Sequence, residues 1–321
     1  MKKFLLTALS CLVLACAAAA QVPEPDQITT GIQEGSTPKS ASISPNVHQN
    51  GQAHSRHGIP SIDSLVNYNT HFFADGYGSA GNFQREWFLN TVGNPPNNHG
   101  TTNINAPVVP VSIQLLNFDG TPRFVGGKLM YSDVTPFIQP TVESPVYGNA
   151  MYSSSSTPTQ FTDAVMRAQN YGKAKDDWHT ILVPSVKTPR VMKLLRGTYQ
   201  FALNPDGTCC RFILVNINAF ANGLFPAVAS DTTTPIGAAE NAGEVTTKDM
   251  STFLFPNVFL FFNNGSCCVV GFHSYDVEPG DDSNGNVEKR YVVNYSSWVT
   301  PGLSKALSLH SRSASLALRS G

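Results

Sequence analysis

Between Val108 and Phe118 the apolar residues Val109, Val111, Ile113 and Leu115 fall at every second position. That spacing describes a strand with one face in a core. Asn117 to Pro122 then reads as a turn into a second strand around Phe124 to Tyr131, making a hairpin. Further strands are predicted at Thr180–Val183, Tyr199–Leu203, Arg211–Ile217, Phe253–Phe262, Cys268–Ser274 and Arg290–Trp298. Phe253-Leu254-Phe255 and Val258 to Phe262 are apolar at every position, as expected of strands covered on both faces. Helical spacing is clearest at Phe161, Val165, Ala168 and Tyr171. Thr157 with Gln160 forms a capping box ahead of it, Pro158 suits the first turn, and Gly172 stands where the helix should stop. The apolar residues of this helix are expected to lie on a sheet, and Asp163 with Arg167 to form a surface pair on its polar side. Trp87-Phe88-Leu89 reads as a buried aromatic cluster or short helix, and Ser230 to Gly243 as a long polar loop.

Two cysteine doublets punctuate the strand pattern. Cys209-Cys210 follows Pro205-Asp206-Gly207-Thr208, and Cys267-Cys268 follows Asn263-Asn264-Gly265-Ser266. Turn residues ahead of β-branched and aromatic ones place each doublet at the start of a strand. Four cysteines in an exported chain imply a disulfide framework with three possible connectivities. A bridge within a doublet is awkward, because adjacent Cα atoms stand about 3.8 Å apart across a trans peptide. Disulfides usually span about 4.4–6.8 Å. Pairing between doublets relieves this, although successive strand residues point to opposite faces.

Export is read from the N-terminus. Met1-Lys2-Lys3 is basic, Phe4 to Ala15 is apolar, and Ala17 to Ala20 are small, the form of a secretory signal peptide cleaved after Ala20. Lipid attachment at Cys16 is the alternative, and either route removes Cys11 from the fold. The chain is therefore expected to be secreted or periplasmic. Residues 21–60 are rich in Pro, Ser, Gln, Gly and Asn and read as a flexible or disordered arm carrying His48, His54 and His57. Net charge is −1 with no basic run, which argues against a nucleic-acid partner. No apolar stretch after the signal is long enough for a transmembrane span.

Candidate chemistry is sparse. The sequence holds no G-x-S-x-G elbow, no H-E-x-x-H and no phosphate-binding G-x-x-x-x-G-K. Asp276 to Asn286 is the densest acidic stretch, a form that hard cations can use but that also suits a solvated hairpin loop. His273 precedes it on a strand. Asp177-Trp178-His179 has the makings of an acid–base pair. Three residues, His273, His179 and Asp276, are therefore the metal candidates, and no catalytic residue is assigned.

Several segments together resemble a family of secreted bacterial zincin-like metallopeptidases. They are Pro158 to Ala164 with Arg167-Ala168, Trp178 to Leu182, Cys267 to His273, and Tyr291 to Trp298. The resemblance covers roughly Ile62 to Leu303. It implies a zincin-like N-terminal portion and, in full-length relatives, a zinc held by a helix bearing His-Glu and a second Glu. It also implies that the last strands are scaffold for an extended peptide. Here the last strand is followed by Ser304 to Arg312, and no Asp or Glu occurs after Glu288. His310 has no adjoining glutamate, so no zinc is expected in this chain.

These readings give an α+β fold, a mixed or antiparallel sheet with one or two packed helices. The organisation is a signal peptide (1–20), a flexible linker (21–60), one β-rich domain (61–303) and an aberrant or disordered tail (304–321). The expected function is a metallopeptidase-like protein, truncated and inactive. The alternative is a non-catalytic secreted β-rich binding or cell-surface module, with an extended peptide or extracellular protein as partner.

Overall fold

The computed structural model describes residues 65–301 and 303, apart from 79–80, 155, 263–266, 280–281, 283–285 and 287, and only the backbone of 69–90. The signal peptide, Cys16, the three histidines of the arm, His310 and the tail all lie outside the described residues. The fold is mixed α+β, dominated by sheets with a few short helices.

Strands β1 (Asn67–Gly78) and β2 (Gly81–Val92) form an antiparallel hairpin. Trp87-Phe88-Leu89 is thus part of a strand, not a helix. Strand β3 (Thr101–Leu116) follows, and Val108 and Val109 are both fully buried on opposite faces. The single strand expected after the turn breaks into β4 (Phe124–Val125), β5 (Lys128–Leu129) and β6 (Tyr131–Ser132). Gly126 and Gly127 explain the break: both take positive φ, a conformation strands do not use.

Helices α1 (Thr135–Val142) and α2 (Phe161–Gln169) lead into β7 (His179–Val186), β8 (Arg190–Leu195), β9 (Tyr199–Leu203) and β10 (Cys209–Asn216). Next come α3 (Ile217–Leu224) and α4 (Pro235–Asn241). Asn216 caps α3 by accepting from the amides of Asn218 and Ala219, and the Thr234 hydroxyl accepts from Gly237 N at the start of α4. The expected loop at Ser230–Gly243 therefore contains a capped helix. The last strands are β11 (Met250–Pro256), β12 (Val258–Phe261), β13 (Cys267–Val269), β14 (Gly271–Glu278) and β15 (Lys289–Trp298).

The larger sheet, of seven strands, runs β14-β15-β11-β3-β6, with β7 and β8 also paired to β3. Val108 pairs with Thr252 of β11 and Val186 of β7, so these two strands flank β3 on opposite sides. The β3 pairings with β7, β8 and β11, and β11 with β15, are parallel; β14 returns antiparallel to β15. A second sheet has the order β13-β12-β10-β9. One face of the larger sheet (Val109, Ile113, Phe253, Phe255, Val293, Tyr295) packs against this second sheet and against Phe220 and Ile236 of α3 and α4. The other face (Ile104, Ala106, Val108, Leu182, Leu254) packs under Leu65, Val134, Val142 and Tyr147.

The apolar run Phe253–Phe262 is two strands in two sheets. Asn257 makes the corner at φ 49°, the left-handed region that asparagine tolerates. Its backbone N–H donates to Trp298 O and its carbonyl accepts from Ile213 N. Its side chain donates to Thr300 Oγ1 and accepts from Thr300 N. The run Cys267–Glu278 also changes sheet, at Val270.

Helix α2 reverses the expected burial. Phe161, Val165 and Tyr171 are exposed, and Asp163 is the buried residue of the helix. The Gln160 side chain does not close a capping box; it accepts from Leu182 N and donates to the carbonyls of Leu182 and Tyr147. Polar bonds to β7 outweigh the apolar stripe in fixing the helix. Arg167 donates to the carbonyls of Trp178 and Lys175 rather than pairing with Asp163.

Candidate functional site

A cleft of about 450 Å³ opens on the α1/α2 face of the larger sheet. Strand periodicity builds its floor. Met250, Thr252 and Leu254 of β11 point one way, as do Asn294, Ser296 and Trp298 of β15, beside Leu182 of β7. Thr141, Ser144, Val146, Tyr147 and Thr162 form the wall, and Ser297 and Val299 complete the lining. Trp298 stacks on Phe137 of α1 with ring centroids 5.9 Å apart. The Tyr147 hydroxyl donates to Thr252 Oγ1 at 3.0 Å, and burial holds this phenol above its ordinary pKa, keeping it a neutral donor. Asn294 donates to Ser251 O, and Ser297 Oγ accepts from Val258 N. The lining thus combines apolar surface with hydroxyl and amide groups, and among the described residues includes no carboxylate, imidazole, thiol, ammonium or guanidinium.

The sequence candidates sit elsewhere and apart. His179, on β7, stands 2.8 Å from Asp163 Oδ2. The buried Asp163 carboxylate also accepts from Thr159 Oγ1 at 2.7 Å and Thr180 N at 2.8 Å. This cluster docks α2 on the sheet. The Asp177 carboxylate instead meets the exposed His99 at 2.8 Å, and that hydrogen bond holds it below the usual carboxylate range. The acid–base pair read from Asp177 and His179 does not form. His273 is exposed on β14. Four inter-strand steps separate β14 from β7, about 19 Å. His179 and His273 therefore cannot share an ion.

Asp276 does find partners. It begins the acidic stretch but points inward from β14, and its carboxylate converges with those of Glu278 and of Glu240 on α4, their ligand atoms all within 4.8 Å of one another. Burial first, and the Asp276 charge second, push the Glu240 carboxyl well above its ordinary pKa; Asp276 is raised too, chiefly by burial. Tyr291, opposite Asp276, is raised by burial and by the three carboxylates. Lys289 Nζ lies 3.6 Å from Glu278.

Both doublets start strands, as read from their turns. Each bridge closes within its own doublet, with cis peptides and Cα atoms 3.0 and 3.1 Å apart. Topology excludes the pairing between doublets. Cys267 lies level with Phe261 and hence with Asn216, at the far end of β10 from Cys209. Several residues of strand separate the doublets, on the order of 15–20 Å.

Comparison with family models, curated proteins and solved structures finds no match for this chain.

Zinc, which the resemblance implies for full-length relatives, does not fit the residues described. Among them the one convergent group of three or more His, Cys, Asp or Glu is all carboxylate, whereas zinc sites draw on imidazole or thiolate. Sequence reading missed Glu240 because a helix was not expected there; Thr234-Pro235 ahead of Ile236 and Ala239 was the available signal. It missed the cleft because those residues converge from five elements, α1, α2, β7, β11 and β15, spread along the chain.

Proposed function

We propose that this chain is a secreted, non-catalytic β-rich binding module whose ligand site is the cleft on the α1/α2 face of the larger sheet. One observation carries the reading: among the described residues, the cleft is lined by apolar, hydroxyl and amide groups without an ionisable acid–base or metal-ligating side chain other than a neutral phenol. Acid–base, nucleophilic and metal-assisted chemistry require such groups within reach of substrate. Binding does not. An aromatic wall with a few fixed hydrogen-bonding groups is the chemistry of a small-molecule pocket, and the cleft falls within the usual range of about 300–1,000 Å³. The ligand is a neutral, largely apolar molecule with a hydroxyl or carbonyl for Thr252, Asn294 and Ser296. A charged ligand would lose its hydration there without gaining a counter-charge. Export is supported by the basic, apolar and small-residue runs of Met1 to Ala20. The metallopeptidase-like reading rests on the resemblance alone.

The test uses a neutral apolar dye, Nile red. Saturable single-site binding to the parent protein is expected, weakened at least about tenfold in Thr252→Phe, which fills the cleft floor. Non-saturable uptake, or equal affinity in that variant, would overturn the proposal.

A further inference from the structure

We propose that Glu240, Asp276 and Glu278 form a calcium site between α4 and the β14–β15 hairpin. It lies on the opposite face of the sheet from the cleft and is independent of what the cleft binds.

Geometry is the first support. Oxygens bound to one calcium at about 2.3–2.6 Å stand no more than about 5 Å apart. The ligand atoms of these three side chains lie within 4.8 Å of one another. The second support is independent of the clustering. Glu240 is only 9 % exposed, and its two buried carboxylate oxygens, like Oδ2 of Asp276, receive no hydrogen bond from any described group outside the cluster; Glu240 and Asp276 meet only each other. Buried polar atoms are almost always satisfied, and carboxylate oxygens that face only other carboxylates are satisfied by a bound cation, which displaces the proton that Glu240 holds in its absence.

Charge balance points the same way. Among the described residues, the groups facing the cluster are Lys289, 3.6 Å from Glu278, and the neutral phenol of Tyr291. A bound divalent ion would hold all three carboxylates ionised, and with the Lys289 ammonium the occupied site is then neutral. Ligand chemistry selects the ion. An all-oxygen, carboxylate-rich set suits a hard cation, and calcium accepts irregular geometry where magnesium demands a near-ideal octahedron and holds its waters. The site also joins elements distant in the chain, so its occupant would pin α4 to the edge of the sheet.

The experiment is thermal unfolding of the full chain after chelation, with and without about 1 mM calcium. Calcium is expected to raise the parent Tm by about 3 °C or more. Glu240→Gln and Asp276→Asn should still unfold cooperatively and should lose that response. A parent indifferent to calcium, or variants that respond as the parent does, would overturn the proposal. Should either variant fail to fold, terbium luminescence in the parent decides. Tyr291 should sensitise bound Tb³⁺, calcium should displace it, and Tyr291→Phe should keep the calcium-dependent Tm rise while losing the emission. Absence of calcium-displaceable emission from the parent would overturn it equally.

Discussion

Asp163 carries more of the α2 attachment than any apolar residue of that helix. Its fully buried carboxylate accepts from Thr159, Thr180 N and the His179 ring. Removing it strands those donors in a dry place, so Asp163→Ala is expected to cost about 2–4 kcal/mol in denaturant unfolding. Phe161→Ser, on the exposed stripe, should stay within about 0.5 kcal/mol. The reverse order would restore the apolar-face reading of the helix. At this scale the sequence was only partly legible. The alternation of Val109 to Leu115 and of Phe253 and Phe255 reported burial faithfully, since a period of two has one structural meaning. Whether an aspartate is a surface charge or a buried acceptor depends on a partner elsewhere in the chain, here Thr180 N, and no local pattern announces it.

Elements follow the same division. β9 and β15 fall almost where periodicity put them, and the doublets open β10 and β13. The apolar run from Phe253 was read as one strand because nothing in its composition separates two sheets; the break comes from the backbone of Asn257, fixed by bonds to Thr300 and Trp298. Helix α4 was missed because its residues are small and its one charge, Glu240, is buried. That burial has a measurable consequence in chelated protein. Folding raises the Glu240 pKa above its unfolded value of 4.5, with burial as the leading cause. The folded state therefore holds a proton that the unfolded chain releases first. The stability contributed is complete below about pH 4.5 and is lost as pH rises toward the raised folded value. The Tm of chelated protein should fall between about pH 5 and pH 9, and Glu240→Gln should flatten that decline. A profile that rises over this window, or is unchanged by the substitution, would show that the carboxyl is not buried as described.

For the whole molecule, two sheets share one core, and the larger sheet presents a second face beneath α1 and α2. The mixed α+β architecture was legible, because turn-rich composition and alternating strands exclude a helical bundle. Sheet order was not, since parallel pairings of β3 with β7, β8 and β11 join segments far apart in sequence. Connectivity of the cysteines belongs to this scale too: the doublets stand at opposite ends of the second sheet. Non-reducing peptide mapping should release Cys209-Cys210 and Cys267-Cys268 in separate peptides, each closed on itself. A single cross-linked peptide carrying both doublets would contradict the sheet order. Residue-resolved NMR on saturation with Nile red tests whether the cleft holds a neutral ligand, as proposed. The largest shifts should fall on the Trp298 indole, the Asn294 side-chain amide and the Thr252 backbone amide. Shifts centred instead on the exposed stripe of Phe161, Val165 and Tyr171, or the absence of any localised change, would rule the cleft out as the binding site.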